Sequence, residues 1–220
     1  MMPKTQYRPK PMVEVGSKPL LWHIMKTYAH YGYNDFILAA GYKMDFIKNY
    51  FSKNKKDGFN IRIVDTGLTS LTGERVRRIK SLIKSDNFML TYGDGMANVH
   101  ISSLLEFHQK KNVLATITGV HPRHRFGLVA VNSNNLVTSF QQKPILSDMV
   151  NGGFMVFSKK IFDYIKKDSM IEDVFDPLAK DKQLALYLHS GFWFAVDTYR
   201  DLLDANKIWA ESSPWRVWSS

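Results

Sequence analysis

Two rhythms alternate along the chain. After Gly16, the residues Leu20, Leu21, Ile24, Met25 and Tyr28 recur at the spacing of one helix face. Asp35-Phe36-Ile37-Leu38-Ala39-Ala40 then reads as a buried strand, stopped at Gly41. Phe46, Ile47, Tyr50 and Phe51 mark a short helix, and residues 60–64 the next strand, which ends at Asp65-Thr66-Gly67. Val76, Ile79, Leu82 and Ile83 predict another helix, followed by the strand Phe88-Met89-Leu90-Thr91-Tyr92. Ile101, Leu104, Leu105 and His108 give one more helix before a strand over 114–120. Strand–helix alternation of this kind needs crossover connections, and so predicts an α/β fold with a doubly wound, mostly parallel, Rossmann-like sheet.

Beyond Val120 the texture changes. Residues 127–131 and 136–141, separated by Asn132-Ser133-Asn134-Asn135, read as a small β-hairpin. Asn151-Gly152-Gly153 opens a strand over 154–157, helices are expected near Ile161 and Ile171, and a last helix runs from about Thr198 towards Trp209. No repeat, low-complexity tract or linker interrupts the pattern, so residues 1–220 read as one domain. Its first part is 1–120 and its second 121–220.

Composition narrows the function. An apolar content of 45% and an aromatic content of 13% suit a packed globule. No run approaches the ~18 apolar residues of a membrane span, and the opening residues carry no secretory signal. With no cysteine, disulfides and thiolate metal sites are excluded, which fits a cytoplasmic protein. The net charge of +10 suits attraction of anionic substrates, a solvated basic surface, or nucleic acid. The basic residues are scattered rather than drawn into a stripe interleaved with aromatics, which counts against nucleic acid.

Candidate chemistry lies at strand ends, where open parallel sheets bind ligands. In Tyr92-Gly93-Asp94-Gly95, the aspartate between two glycines can reach outward while the backbone admits a ligand; an ordinary Asp-Gly turn has the same wording. Asp197 follows an aromatic strand and precedes a helix, so it reads equally as a helix cap. Together, the two carboxylates could hold a Mg²⁺ ion that bridges substrate phosphates. Lys10 in Pro9-Lys10-Pro11 and Lys143 before Pro144 sit on backbone fixed by proline and offer cationic partners.

Taken together, these segments resemble a known family. The stretch from Pro9 through Gly16-Ser17-Lys18-Pro19 to Trp22-His23-Ile24-Met25 is similar to the second half of the signature of the sugar-1-phosphate nucleotidyltransferases, and its wording looks most like the glucose-1-phosphate cytidylyltransferases. Val64-Asp65-Thr66-Gly67, Thr72-Gly73-Glu74-Arg75, Thr91-Tyr92-Gly93-Asp94-Gly95, Arg125-Phe126-Gly127, Asn151-Gly152-Gly153-Phe154, Gly191-Phe192-Trp193 with Asp197-Thr198, and Pro214-Trp215-Arg216-Val217-Trp218 follow in family order. The resemblance implies a cytoplasmic, homo-oligomeric enzyme that joins CTP and glucose 1-phosphate into CDP-glucose and pyrophosphate, for deoxysugar or surface lipopolysaccharide synthesis. It implies Mg²⁺ on Asp94 and Asp197, with Lys10 and Asp94 catalytic. It further implies nucleotide contacts from Lys10, Thr66, Gly67, Gly73 and Arg75, and sugar-phosphate contacts from Gln142, Lys143, Asn151 and Gly152. Residues 1–120 would bind the nucleotide and 121–220 the sugar phosphate. A homologue impaired in catalysis that binds nucleotide or a partner enzyme is the alternative, as is another base or hexose.

Three departures from the family pattern carry expectations of their own. The family's F-x-E-K-P appears as Phe140-Gln141-Gln142-Lys143-Pro144, which replaces a two-acceptor carboxylate by an amide. The segment between Phe51 and Asn60 looks short, in a region that could support subunit contacts. The family's glycine-rich G-G-x-G-T-R loop would stand immediately before Met1, with Thr5 on the family's threonine. An internal start codon or a truncated gene is therefore expected, and with it a poorly soluble or inactive chain.

Overall fold

The computed structural model describes residues 8–219. The opening segment on which the start-codon expectation rests, Thr5 included, lies outside them. A 3₁₀ turn at Lys10–Met12 leads into a minimal hairpin of β1 (Glu14–Val15) and β2 (Lys18–Pro19), then α1 (Leu20–His30), β3 (Asp35–Ala40), α2 (Met44–Lys53), β4 (Asn60–Asp65), α3 (Thr72–Arg78), β5 (Asn87–Thr91), β6 (Gly95–Ala97), α4 (Ile101–Lys111) and β7 (Ala115–Val120). The second part holds β8 (Leu128–Val131), β9 (Val137–Gln141), β10 (Val150–Ser158), α5 (Phe175–Lys180), β11 (Leu184–Leu188), β12 (Trp193–Ala195) and α6 (Tyr199–Glu211). The expected helices near Ile161 and Ile171 are 3₁₀ turns, Lys159–Asp163 and Ile171–Val174, too short for α-helical propagation.

A four-stranded sheet in the order β11-β7-β10-β5 stands beside the parallel pair β3-β4. β11 and β7 run parallel, whereas β10 runs antiparallel to both β7 and β5, so the sheet is mixed. Period-two alternation assigns the layers. Met155 and Phe157 of β10, with Phe88 and Leu90 of β5 and Ile37 and Ala39 of β3, pack against Val76, Ile171 and Leu178 on one side. Phe154, Val156, Met89 and Phe36 face Ile24, Tyr28 and Leu104 of α1 and α4 on the other. Helices thus cover both faces, the doubly wound arrangement that the alternation predicts. β3 and β5 are half-buried rather than buried, because each is the edge of its own sheet among the described residues.

A third apolar cluster locks the ends of the chain together. Val13, Val15, Leu20 and Trp22 pack with Val196, Leu202, Trp215 and Trp218. At its centre His23 is fully buried; its Nε2–H donates to the Val15 carbonyl at 2.9 Å, and its Nδ1 accepts from Trp215 Nε1 at 3.3 Å. Those two bonds select the neutral tautomer protonated at Nε2, and burial pushes the imidazole pKa down to about 4.

Candidate active site

The short strands β6 and β12 create the site. They pair antiparallel with Gly95 opposite Ala195 and Ala97 opposite Trp193, and Val196 N continues the ladder to the Asp94 carbonyl at 2.9 Å. Asp94, one residue before β6, is thereby held next to Asp197, which follows Val196. The helix cap that Asp197 could have formed is made by its neighbour: Thr198 accepts from the Asp201 amide, and Asp201 accepts from the amides of Thr198 and Asp197. The Asp197 carboxylate is therefore free to face Asp94.

Lys10 reaches the same point. Pro9 is held extended, and Lys10 opens the 3₁₀ turn with Pro11 packed on Gly93. A Cβ on Gly93 would stand 2.8 Å from Pro11 Cγ, so only glycine lets this turn approach the Asp94 loop so closely. Lys10 Nζ lies 2.6 Å from Asp94 Oδ2 and 2.7 Å from Asp197 Oδ1, while Arg125 Nη2 lies 2.6 Å from Asp197 Oδ2. Two carboxylates and two cations balance. Burial alone would lower the Lys10 pKa, but the hydrogen bonds to Asp197 and Asp94 outweigh it and the net direction is up. The Lys10 hydrogen bond, with Arg125 adding to it, holds the Asp197 carboxyl below its usual range.

Beside this cluster, the Tyr92 hydroxyl donates to Glu172 and also meets Asn151. Burial, reinforced by Glu172, raises its pKa. Its ring lies against Gly153, whose φ of +82° no bulky residue would adopt. Thr72 donates to the other Glu172 oxygen at 3.3 Å, which ties the start of α3 to the end of β5 through Glu172. Asn151 Oδ1 accepts from Gly153 N at 2.9 Å, and Trp193 Nε1 donates to the Gly152 carbonyl at 2.8 Å.

The remaining residues singled out from the sequence occupy two further places. Thr66 is fully buried; its hydroxyl donates to the Ala40 carbonyl and accepts from Arg75, whose other bonds go to the Ala40 and Leu68 carbonyls. Gly73 is packed against the Ser169–Met170 backbone, and Gly67 takes a φ of +90° beside Arg78. This group braces the ends of β3 and β4. Gln142 and Lys143 lie at the foot of the β8–β9 hairpin, Lys143 with a φ of +47° and its carbonyl accepting from Arg123 Nη1 at 3.1 Å. No hydrogen bond or ion pair among the described residues joins them to the Lys10 cluster. Sequence reasoning gave no role to Arg125, Tyr92, Glu172 or Trp193. Arg125 had a signal in its Arg-Phe-Gly wording, whereas Glu172 had none.

The two carboxylates suit Mg²⁺. They converge on one positive charge, and among the described residues no group of three or more His, Cys, Asp or Glu side chains could complete a protein cage. Mg²⁺ commonly binds in this way, with one or two carboxylates and the rest of its shell from substrate phosphates and water.

The sequence profile of the nucleotidyl transferase family matches residues 1–212. The chain is 40% identical to a probable glucose-1-phosphate cytidylyltransferase of Bacillus subtilis, over 96% of this chain and 92% of the relative. It is 36% identical to the glucose-1-phosphate cytidylyltransferase of Salmonella typhimurium, over 98% and 93%. A crystal structure of a putative glucose-1-phosphate thymidylyltransferase from Bacillus anthracis in complex with a sucrose superposes with a TM-score of 0.74 at 19% identity, covering 96% of this chain and 90% of the other.

Proposed function

The chain belongs to the nucleotidyl transferase family, and on that premise we propose that it transfers the cytidylyl group of CTP to glucose 1-phosphate, giving CDP-glucose and pyrophosphate. The observation that carries this reading is the meeting of Lys10, Asp94 and Asp197 at one point, built from three distant segments. A phosphate oxygen of the sugar phosphate attacks the α-phosphorus, the α–β bridging bond breaks, and pyrophosphate leaves with the electron pair. The protein's part is positioning and charge neutralisation. Asp94 and Asp197 would hold Mg²⁺, which when bound neutralises and orients the triphosphate. Lys10 would hold phosphate oxygens at the reacting phosphorus, and Arg125 would add a second cation beside Asp197.

Residues 1–120 would supply the nucleotide side, with Thr66, Gly67, Gly73 and Arg75 shaping its wall from behind. Residues 121–220 would supply Gln142, Lys143, Asn151 and Gly152 to the sugar phosphate. Both substrates are intracellular anions, which puts the reaction in the cytoplasm, and its product suits deoxysugar or surface-polysaccharide assembly. No helix among the described residues is long and apolar enough to cross a membrane. The test is pyrophosphate release with CTP and each hexose 1-phosphate, with and without Mg²⁺. Turnover that needs CTP, glucose 1-phosphate and Mg²⁺ together is expected. Equal turnover with every nucleoside triphosphate would overturn the base assignment, and turnover unaffected by chelation would overturn the metal assignment.

A further inference from the structure

Glu172 reaches the site from the segment between β10 and α5, to which the reaction assigns no part. It sits in the 3₁₀ turn Ile171–Val174, whose Ile171 and Val174 are buried in the core with Met155 and Phe157 while Glu172 itself is exposed. The turn is fixed on either side of it: Met170 N donates to Asp173 Oδ2 at 2.8 Å, and Ile171 N donates to Thr72 Oγ1 at 2.9 Å. An exposed glutamate gains rotamer freedom by staying in water. This one instead divides its oxygens between two hydroxyls, Oε1 accepting from Tyr92 and Oε2 from Thr72. Such charge-assisted bonds are roughly twice as strong as neutral ones.

Tyr92 stands two residues before Asp94, and residues 92–94 belong to neither β5 nor β6. A bend that contains glycine is free to take several conformations unless its neighbours hold it. Pro11 packs on Gly93, and the Asp94 carbonyl accepts from Val196 N at 2.9 Å. On the β5 side, the hold is the Tyr92 side chain, with its ring against Gly153 and its hydroxyl on Glu172.

We propose that Glu172 is a positioning residue: it holds the Tyr92 hydroxyl, and through it the Tyr92-Gly93-Asp94 bend, so that the Asp94 carboxylate stays at the point shared with Asp197 and Lys10. The catalytic consequence rests on the nucleotidyl-transfer reading, whereas the placement of Asp94 does not.

Amide exchange of the ligand-free chain therefore tests the placement without reference to activity. In Tyr92→Phe and in Glu172→Ala, the Val196 amide should exchange ~10-fold or more faster than in the wild type, with the amides of β10 unchanged. Glu172→Gln should keep the wild-type rate, because its carbonyl can accept from Tyr92 and its amide can donate to Thr72. In turnover, the first two variants should lose ~10-fold in kcat, Tyr92→Phe with both KM values within about twofold, while Glu172→Gln stays near wild type. Unchanged exchange at Val196 overturns the proposal, as does faster exchange throughout β10, the mark of a merely structural role. Faster exchange at Val196 with an unchanged kcat overturns the catalytic consequence. Should Glu172→Ala unfold, Tyr92→Phe decides, since it removes a single oxygen. A wild type without turnover overturns the nucleotidyl-transfer reading alone, and the Val196 amide still decides the placement.

Discussion

The His23 imidazole makes stability depend on pH in a window fixed by the structure. Its folded pKa of about 4 lies below the unfolded value of 6.5, so the unfolded chain takes up the proton first. This contribution to stability is complete above about pH 6.5, declines as pH falls through the window, and levels off below about pH 4. A shift of two to three units corresponds to about 3 kcal/mol, a large share of the 5–15 kcal/mol typical of a domain. His108 and His189 are also lowered by burial and act in the same direction, so the wild-type slope alone cannot isolate His23. His23→Gln can. Its amide nitrogen can donate to Val15 and its oxygen accept from Trp215 without titrating. Urea denaturation of both proteins at about pH 7 and pH 4.5 should show the wild type losing about 2–3 kcal/mol more than the variant. Parallel losses would refute the reasoning, and with it the neutral clamp between the two ends of the chain.

Three further outcomes are expected. Asp94→Ala and Asp197→Ala should each lower Mg²⁺-dependent pyrophosphate release by ~10²-fold or more, with melting temperatures near wild type; near-normal rates in both would remove the metal assignment. Gly93→Ala should push Pro11 away and lower kcat ~10-fold or more through misplacement of Lys10, and an unchanged kcat would mean that the turn shifts freely. Gln142→Glu should sharpen the preference for glucose over galactose 1-phosphate by ~1–3 kcal/mol, read from kcat/KM ratios; an unchanged ratio would count against a sugar contact there.

The fold was legible where periodicity runs long. α1, β3, β4, β7, β10 and α6 follow from apolar spacing and from glycine or polar stops. Two-residue and three-residue strands cannot show a period, so β1, β2 and β6 escaped, although β6 sets the whole site. The direction of β10 was hidden as well. A strand buried on both faces reads the same whichever way it runs, and only the long excursion through the hairpin returns the chain antiparallel. Thr66 stands at a strand end, as binding residues do, and Arg75 reaches it from α3, yet their donors turn inward onto the Ala40 and Leu68 carbonyls. Sequence spacing gives the position of a side chain but not the destination of its hydrogen bonds.

Asp94 and Asp197 had two readings each, and for Asp197 a difference of one residue separates them. Had Asp197 stood at the cap, its carboxylate would have folded back onto the first turn of α6. Thr198 and Asp201 instead satisfy that helix end between themselves, and Asp197 is left one residue upstream, on the ladder position next to Asp94. Two carboxylates brought so close repel unless cations stand between them, and Lys10 and Arg125 supply that charge. Lys10 and Arg125 thus match the charge of Asp94 and Asp197 one for one. The same ammonium that quiets the two carboxylates stands within reach of any phosphate that brings its own cation to them. In the proposed reaction a metal held by Asp94 and Asp197 would take over the two carboxylates and leave the Lys10 ammonium to the substrate phosphates, which would favour a metal-bound triphosphate over simple anions.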